Sequence, residues 1–334
     1  MPELMIALAI AGITLAGAFT LLAHGRELLN ANESMSQVQD QARHAVSVVA
    51  QDLEHAGSFG FGLDPATLSV VRDGDLARVI AGGDALRQDA PRVALPSSLH
   101  DCGGNFALDL ALAVEASNNH FAAGVDASRC APTATAGGAV PGADTLTVRH
   151  ASGEPAPPTP GKLQLYSRRF ATQSGQVLFA DGRAPGALDA DRRVFDVVVR
   201  TYYIARNSVE REGWPALRAK TLTAVAGEPR FRDEEILPGV EDLQVQFGIS
   251  DTASGDAVTR YVDPGAVELR DFPPVAVRVW IRIRADSSER GHRDERTWQY
   301  ADAEFTPAAP EQVFRRTLVS RTVVLQGGPR GPRS

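Results

Sequence analysis

Residues 4–23 read LMIALAIAGITLAGAFTLLA, twenty positions without a charge, and Glu3 stands directly in front of them. At 1.5 Å per residue such a helix is about 30 Å long, the thickness of a bilayer's hydrocarbon core. The length predicts a membrane-spanning helix over 1–24 rather than a buried helix of a soluble core. A secretory signal would need a basic stretch ahead of the run, and only Met1, Pro2 and Glu3 stand there. Ala7 and Ala11 are four apart, as are Gly12 and Ala16. Small residues at that spacing let helices approach closely in lipid. Leu4, Ala7, Ala11, Gly12, Ala16 and Gly17 are therefore the predicted helix-packing positions. Glu3 is costly if it goes deep, and such a carboxylate normally has a partner.

The helical pattern continues past the apolar run. Over 25–57, Val38, Ala42, Ala45, Val46, Val49, Leu53 and Ala56 recur at steps of three and four. Gln39, Asp40, Arg43, Gln51, Asp52 and Glu54 fill the remaining positions. This is an amphipathic helix, and Val38, Ala42, Val46, Val49 and Leu53 are its predicted face toward a sheet. Gly57 is the expected C-cap. His44 and His55 fall on the polar side, four residues after Asp40 and Gln51, and read as surface neighbours of them. If continuous, residues 2–56 form a rod of roughly 80 Å.

The rest of the chain divides by composition. Residues 58–160 are rich in Gly and Pro, with clusters at 57–62, 82–83, 103–104 and 155–160. They contain the two cysteines, Cys102 and Cys130. Outside the cytoplasm these can form a disulfide. Zinc is the competing use of two cysteines; His100 lies close to Cys102, but no CxxC or Cys/His cluster accompanies them. Residues 161–326 are β in pattern. Alternation is clear in 195–203, 243–249 and 275–284, and 313–325 is a further strand. Pro238-Gly239 and Pro273-Pro274 supply turn chemistry ahead of two of these strands. Arg278, Arg282 and Arg284 alternate with apolar residues and predict the solvated face of a sheet, or else a basic binding stripe. Strands without intervening helices favour an antiparallel sheet. Residues 327–334, GGPRGPRS, read as a disordered tail.

Chemistry is sparse in this pattern. The net charge of −7 argues against nucleic acid as the main partner. No G-x-S-x-G, H-E-x-x-H, Walker loop or G-x-G-x-x-G occurs. Asp181, Asp189 and Asp191, and Asp251, Asp256 and Asp263, lie in loops where oxygen ligands could hold calcium, without EF-hand spacing. Solvated loop acids are the simpler reading of both sets. No catalytic residue, resident metal or cofactor is proposed by the sequence, and no enzyme activity is expected.

An apolar helix led by a glutamate, running into an amphipathic helix ahead of a β domain, resembles a type IV pilin or pseudopilin. Pro2-Glu3-Leu4-Met5-Ile6-Ala7-Leu8 is similar to the heart of the class III prepilin motif. The stretches QDQARHAVSVVAQDLEHAGSFG (39–60), PGVEDLQVQFGI (238–249), 275–284 and VFRRTLVSRTVVLQ (313–326) resemble PilW-type minor pilins. The resemblance implies an α+β, pilin-like fold with the long N-terminal helix packed on an antiparallel sheet. It implies a minor pilin that helps start type IV pilus assembly in a priming or tip complex. The implied partners are other minor pilins, the major pilin, the inner-membrane assembly platform and a prepilin peptidase acting on a natural leader. The implied location is the inner membrane, single-pass, with the C-terminal domain in the periplasm. In the family the glutamate is fifth after cleavage, whereas here it is third. Met1 is accordingly expected to be an internal residue or a start assigned too late. A minor pseudopilin of a type II secretion system, or an anchored periplasmic binding module that never polymerises, are the alternatives.

Overall fold

The structure is a computed structural model describing residues 2–61, 68–72, 75–78, 102, 106–110, 112–124, 130–169, 176–251 and 257–325. It opens with one helix, α1 (Pro2–His55). The strands that follow are β1 (Leu68–Arg72), β2 (Asp75–Arg78), β3 (Val114–Ser117), β4 (Thr145–Ala151), β5 (Pro160–Arg168), β6 (Gln176–Asp181) and β7 (Arg192–Ala205). They continue with β8 (Ala216–Val225), β9 (Glu228–Pro238), β10 (Val240–Ile249), β11 (Arg260–Val262), β12 (Ala276–Arg284), β13 (Trp298–Tyr300), β14 (Ala303–Phe305) and β15 (Arg316–Val324).

One sheet has the order β2-β1-β6-β5-β7-β4-β3, with β8 and β9 extending from β7. The second has the order β11-β10-β12-β15, and β13-β14 is a separate hairpin. The pairings are antiparallel except β1 with β6, which is parallel. The architecture is thus mostly antiparallel β. The strands expected at 195–203, 243–249, 275–284 and 313–325 correspond to β7, β10, β12 and β15. The sheet also draws β1 to β4 from 58–160, so that region is less loop-like than its Gly and Pro clusters suggest. The clusters at 82–83 and 103–104, His100, Asp256 and the 327–334 tail lie outside the described residues.

Turn chemistry behaves as its residues dictate. α1 ends at His55, and Gly57 takes φ 74° while its N–H donates to Arg149 O (3.0 Å). Gly239, at φ 82°, starts β10, and a Cβ there would come within 2.9 Å of Arg284 O. Both positions need glycine's access to the left-handed region.

Two cores result. The larger joins the second half of α1 to Leu243, Val245 and Phe247 of β10, Val277, Val279, Ile281 and Ile283 of β12, and Tyr202 and Leu217 behind them. The cross-strand pairs Leu243–Ile281, Val245–Val279 and Phe247–Val277 lay one apolar row under the helix. The smaller core gathers Phe59, Leu108, Leu163, Leu178, Phe195 and Val197. Cys102 and Cys130 form a disulfide, Cα–Cα 5.0 Å, buried with Phe106 and Ala123.

Asp144 stitches the two sheets. Its N–H donates to Leu243 O (2.8 Å), and its carboxylate accepts from Val245 N (2.8 Å) and Asn119 N (2.7 Å). Burial pushes its pKa up to about 7; the two N–H donors oppose this, and the charges of Asp302 and Asp242 add to it.

The arginine rows overturn the solvated-face expectation. Arg282 and Arg284 are 6% and 4% exposed. A bulge between Val240 and Asp242 in β10 breaks the alternation at Glu241. The Glu241 carboxylate accepts from Arg282 Nε (3.1 Å) and from Arg316 Nε and Nη2 (2.8 and 3.0 Å). Tyr300 donates to Asp242, Phe305 stacks on Arg282 at 3.6 Å, and Trp214 stacks on Arg284 at 3.8 Å. The β13-β14 hairpin therefore covers this face, and each buried guanidinium has a carboxylate and an aromatic partner. Arg278 is half-buried over the Tyr261 ring at 3.6 Å.

Candidate functional site

α1 is the element to which the sequence assigns function, and its two halves are built differently. At 1.5 Å per residue the helix is about 80 Å long. Glu3 is exposed in its first turn, where the helix dipole favours a carboxylate. Met5, Ile10, Leu15, Phe19, Leu21 and Leu22 are all exposed, from 58% for Ile10 to 75% for Leu21. Ala11, Gly12, Ala16 and Gly17 are exposed too, and a Cβ on Gly12 or Gly17 would meet nothing within 4 Å. The side chains of Leu4 and Ala7 lie outside the described residues. Among the described residues no helix is long and apolar enough to cross a membrane; the side chains of 4, 6–9, 13 and 23, within the expected span, lie outside them.

The two hydroxyls of the apolar half are turned back on the helix. Thr14 Oγ1 donates to Ile10 O and Ala11 O (3.1 and 3.0 Å), and Thr20 Oγ1 donates to Gly17 O (2.8 Å). The helix thus presents apolar groups outward and satisfies these polar groups internally, which is what an apolar surrounding demands.

The second half is embedded. Val38, Ala42, Val46, Val49 and Leu53 are buried in the larger core, together with Ala45, Ala50 and Ala56. All five predicted face residues are brought together there. At the entry, Gln37 and Gln41 Nε2 donate to Asp286 Oδ2 (3.4 and 3.2 Å). A cleft of about 420 Å³ lies beside them, lined by Glu33, Ser34, Gln37 and residues 287–290. Near the other end Glu54 pairs with Arg321 of β15 at 2.6 Å.

Asp52 is the position that periodicity misplaced. The sequence puts it on the polar face, yet it is buried. Its Oδ2 accepts from Tyr202 Oη (2.7 Å) and Arg200 Nη1 (2.9 Å) of β7. Burial raises its pKa, but His150, Arg200 and Tyr202 together outweigh burial and hold the carboxyl below its ordinary range. A heptad-like stripe does not distinguish a buried acid from a solvated one, and the partners lie about 100 and 150 residues away. His44 and His55 are exposed, as expected.

Three of the loop acids that could hold calcium accept hydrogen bonds within the chain. Asp181 and Asp189 accept from the backbone of Arg183 and Asp191 (both 2.9 Å), and Asp263 accepts from Gln246 Nε2 (3.2 Å).

With this geometry in hand, similarity to known proteins takes on meaning. Residues 201–327 match the family model PilW, described as type IV pilus-assembly protein W. The match runs from the middle of β7 through β15 and contains the whole four-stranded sheet on which α1 lies. One solved structure, the type IV-like pilin TTHA1219 from Thermus thermophilus, is similar at 13% identity with a TM-score of 0.27. The similarity covers 59% of this chain and 81% of that one. No curated protein matches.

Proposed function

We propose, with the PilW match over residues 201–327 as premise, that this chain is a minor pilin acting in the initiation of type IV pilus assembly. The observation that carries the reading is the division of α1. One half keeps large apolar side chains outward while the other half is sunk in a β core. A helix of that kind joins a folded domain to an apolar medium and to other helices. In this reading residues 4–23 sit in the inner membrane and the β body sits in the periplasm. Small residues Ala11, Gly12, Ala16 and Gly17 seat neighbouring pilin helices by close backbone approach. Glu3 pairs with an amine of its own or a neighbouring helix and sets register, since a slipped helix leaves both charges unpaired in low dielectric. The assembly platform then extracts the helices together, and the body, held on by the embedded half, is carried along.

Crosslinking from the apolar half tests the proposal. A photoreactive residue at Leu15 or Phe19 in cells should give adducts with other pilin-type subunits. Deletion of the gene should reduce surface pili. Adducts with no pilin, together with normal piliation in the deletion strain, would favour an anchored module that never polymerises.

A further inference from the structure

The last turn of α1 meets β4 through a pair that neither packing nor assembly requires. His150 of β4 places Nδ1 2.8 Å from Ala151 O. A carbonyl oxygen only accepts, so Nδ1 carries the proton, and in the neutral ring Nε2 presents a lone pair. That Nε2 is buried without a hydrogen-bond partner and lies 3.6 Å from Asp52 Oδ1. A lone pair facing a carboxylate oxygen is unfavourable unless a proton or another cation comes between them. Among the described residues no group of three donors is placed to hold a metal ion.

We propose that Asp52 and His150 form a proton-operated latch between α1 and the body. Protonation of His150 Nε2 turns the 3.6 Å contact into an ion pair and closes the joint; deprotonation leaves two acceptors face to face and loosens it. The test spans about pH 5.5 to 8, the range in which histidine side chains in general change charge. Arg200 and Tyr202 bond Asp52 whichever form His150 takes and favour its ionised carboxylate.

The groups around the pair set its strength. On β7, Arg200 and Tyr202 occupy the other oxygen of Asp52 and share its charge. On α1, the exposed His55 ring lies 5.7 Å from that of His150. His55 Nδ1 is tied to Gln51 O at 2.8 Å. Glu54 is engaged by Arg321 of β15. Arg149, next on β4, directs its guanidinium to Phe106 O, Leu112 O and Glu115. The carbonyl end of the helix dipole favours a cation at this turn.

Hydrogen exchange on the full chain in detergent micelles tests the latch. Amides of 45–56, corrected for intrinsic exchange, should be several-fold better protected at about pH 5.5 than at about pH 8. His150→Gln should abolish that difference and His55→Gln should keep it. Equal protection at both pH values, or a difference that survives in His150→Gln, overturns the proposal. Should His150→Gln not fold, Asp52→Asn decides: the protection difference should vanish there, and a difference that survives overturns the latch.

Discussion

The two halves of α1 are built from similar apolar residues and put them to opposite use. Leu53 is fully buried, whereas Leu21 is 75% exposed. The difference lies in what faces each half. The second half has two sheets whose rows of Val, Ile and Leu match its stripe, so burial there contributes to folding. The described apolar side chains of the first half have no counterpart in the body, and in the proposed reading lipid and other helices bury them. In that reading one continuous helix serves folding at one end and association at the other, and substitutions in the two halves should separate those properties.

The largest effect should come from the first half and be invisible to stability. Glu3→Ala is expected to reduce surface pili close to the level of a deletion strain, counted by electron microscopy, while the β body unfolds at an unchanged temperature. Wild-type pilus numbers in Glu3→Ala would break the comparison, because the exposed half would then carry no assembly signal. The second half should answer in the opposite sense. Leu53→Ala leaves a cavity in the larger core and should cost about 2–5 kcal/mol in chemical unfolding. A loss below about 1 kcal/mol would mean that α1 is only loosely seated.

How far this was legible in the sequence follows from the range of each interaction. Periodicity in 38–56 identified the buried stripe because helix spacing is a local property. Alternation in 243–249 and 275–284 identified β10 and β12 for the same reason. Asp52 and Arg282 fall on polar faces in the pattern because alternation reports only that a residue is polar. Whether it meets water depends on Tyr202, on a bulge at Glu241 and on the 298–305 hairpin, all of which are distant or irregular in sequence. Asp144 escaped notice for a similar reason. A single acid in DTLTV carries no motif, and its role comes from β10, about 100 residues on.

Asp144 also sharpens the comparison, since it binds the two sheets that receive α1. Its folded pKa, about 7, lies above the ordinary aspartate value of 3.8. Its contribution is therefore fully present below about pH 4 and is lost as pH rises through about 7. Stability should fall over that window by about 4 kcal/mol from this group, at about 1.4 kcal/mol per pKa unit. Asp144→Asn should flatten the slope between pH 4 and 7 in denaturant titrations, whatever it does to absolute stability. An unchanged slope would show that the proton is taken up elsewhere.

The smallest effect is the most discriminating. Leu15→Ser replaces a large apolar side chain, which in a core would cost several kcal/mol. Leu15 is 62% exposed, so the unfolding free energy of the β body should change by less than about 0.5 kcal/mol. The same variant should partition less well into membranes and crosslink less to other pilin-type helices, because one apolar contact is lost from the exposed face. A destabilised body in Leu15→Ser would mean that the first half of α1 folds back onto the sheets, and the division between a folding half and an associating half would fail.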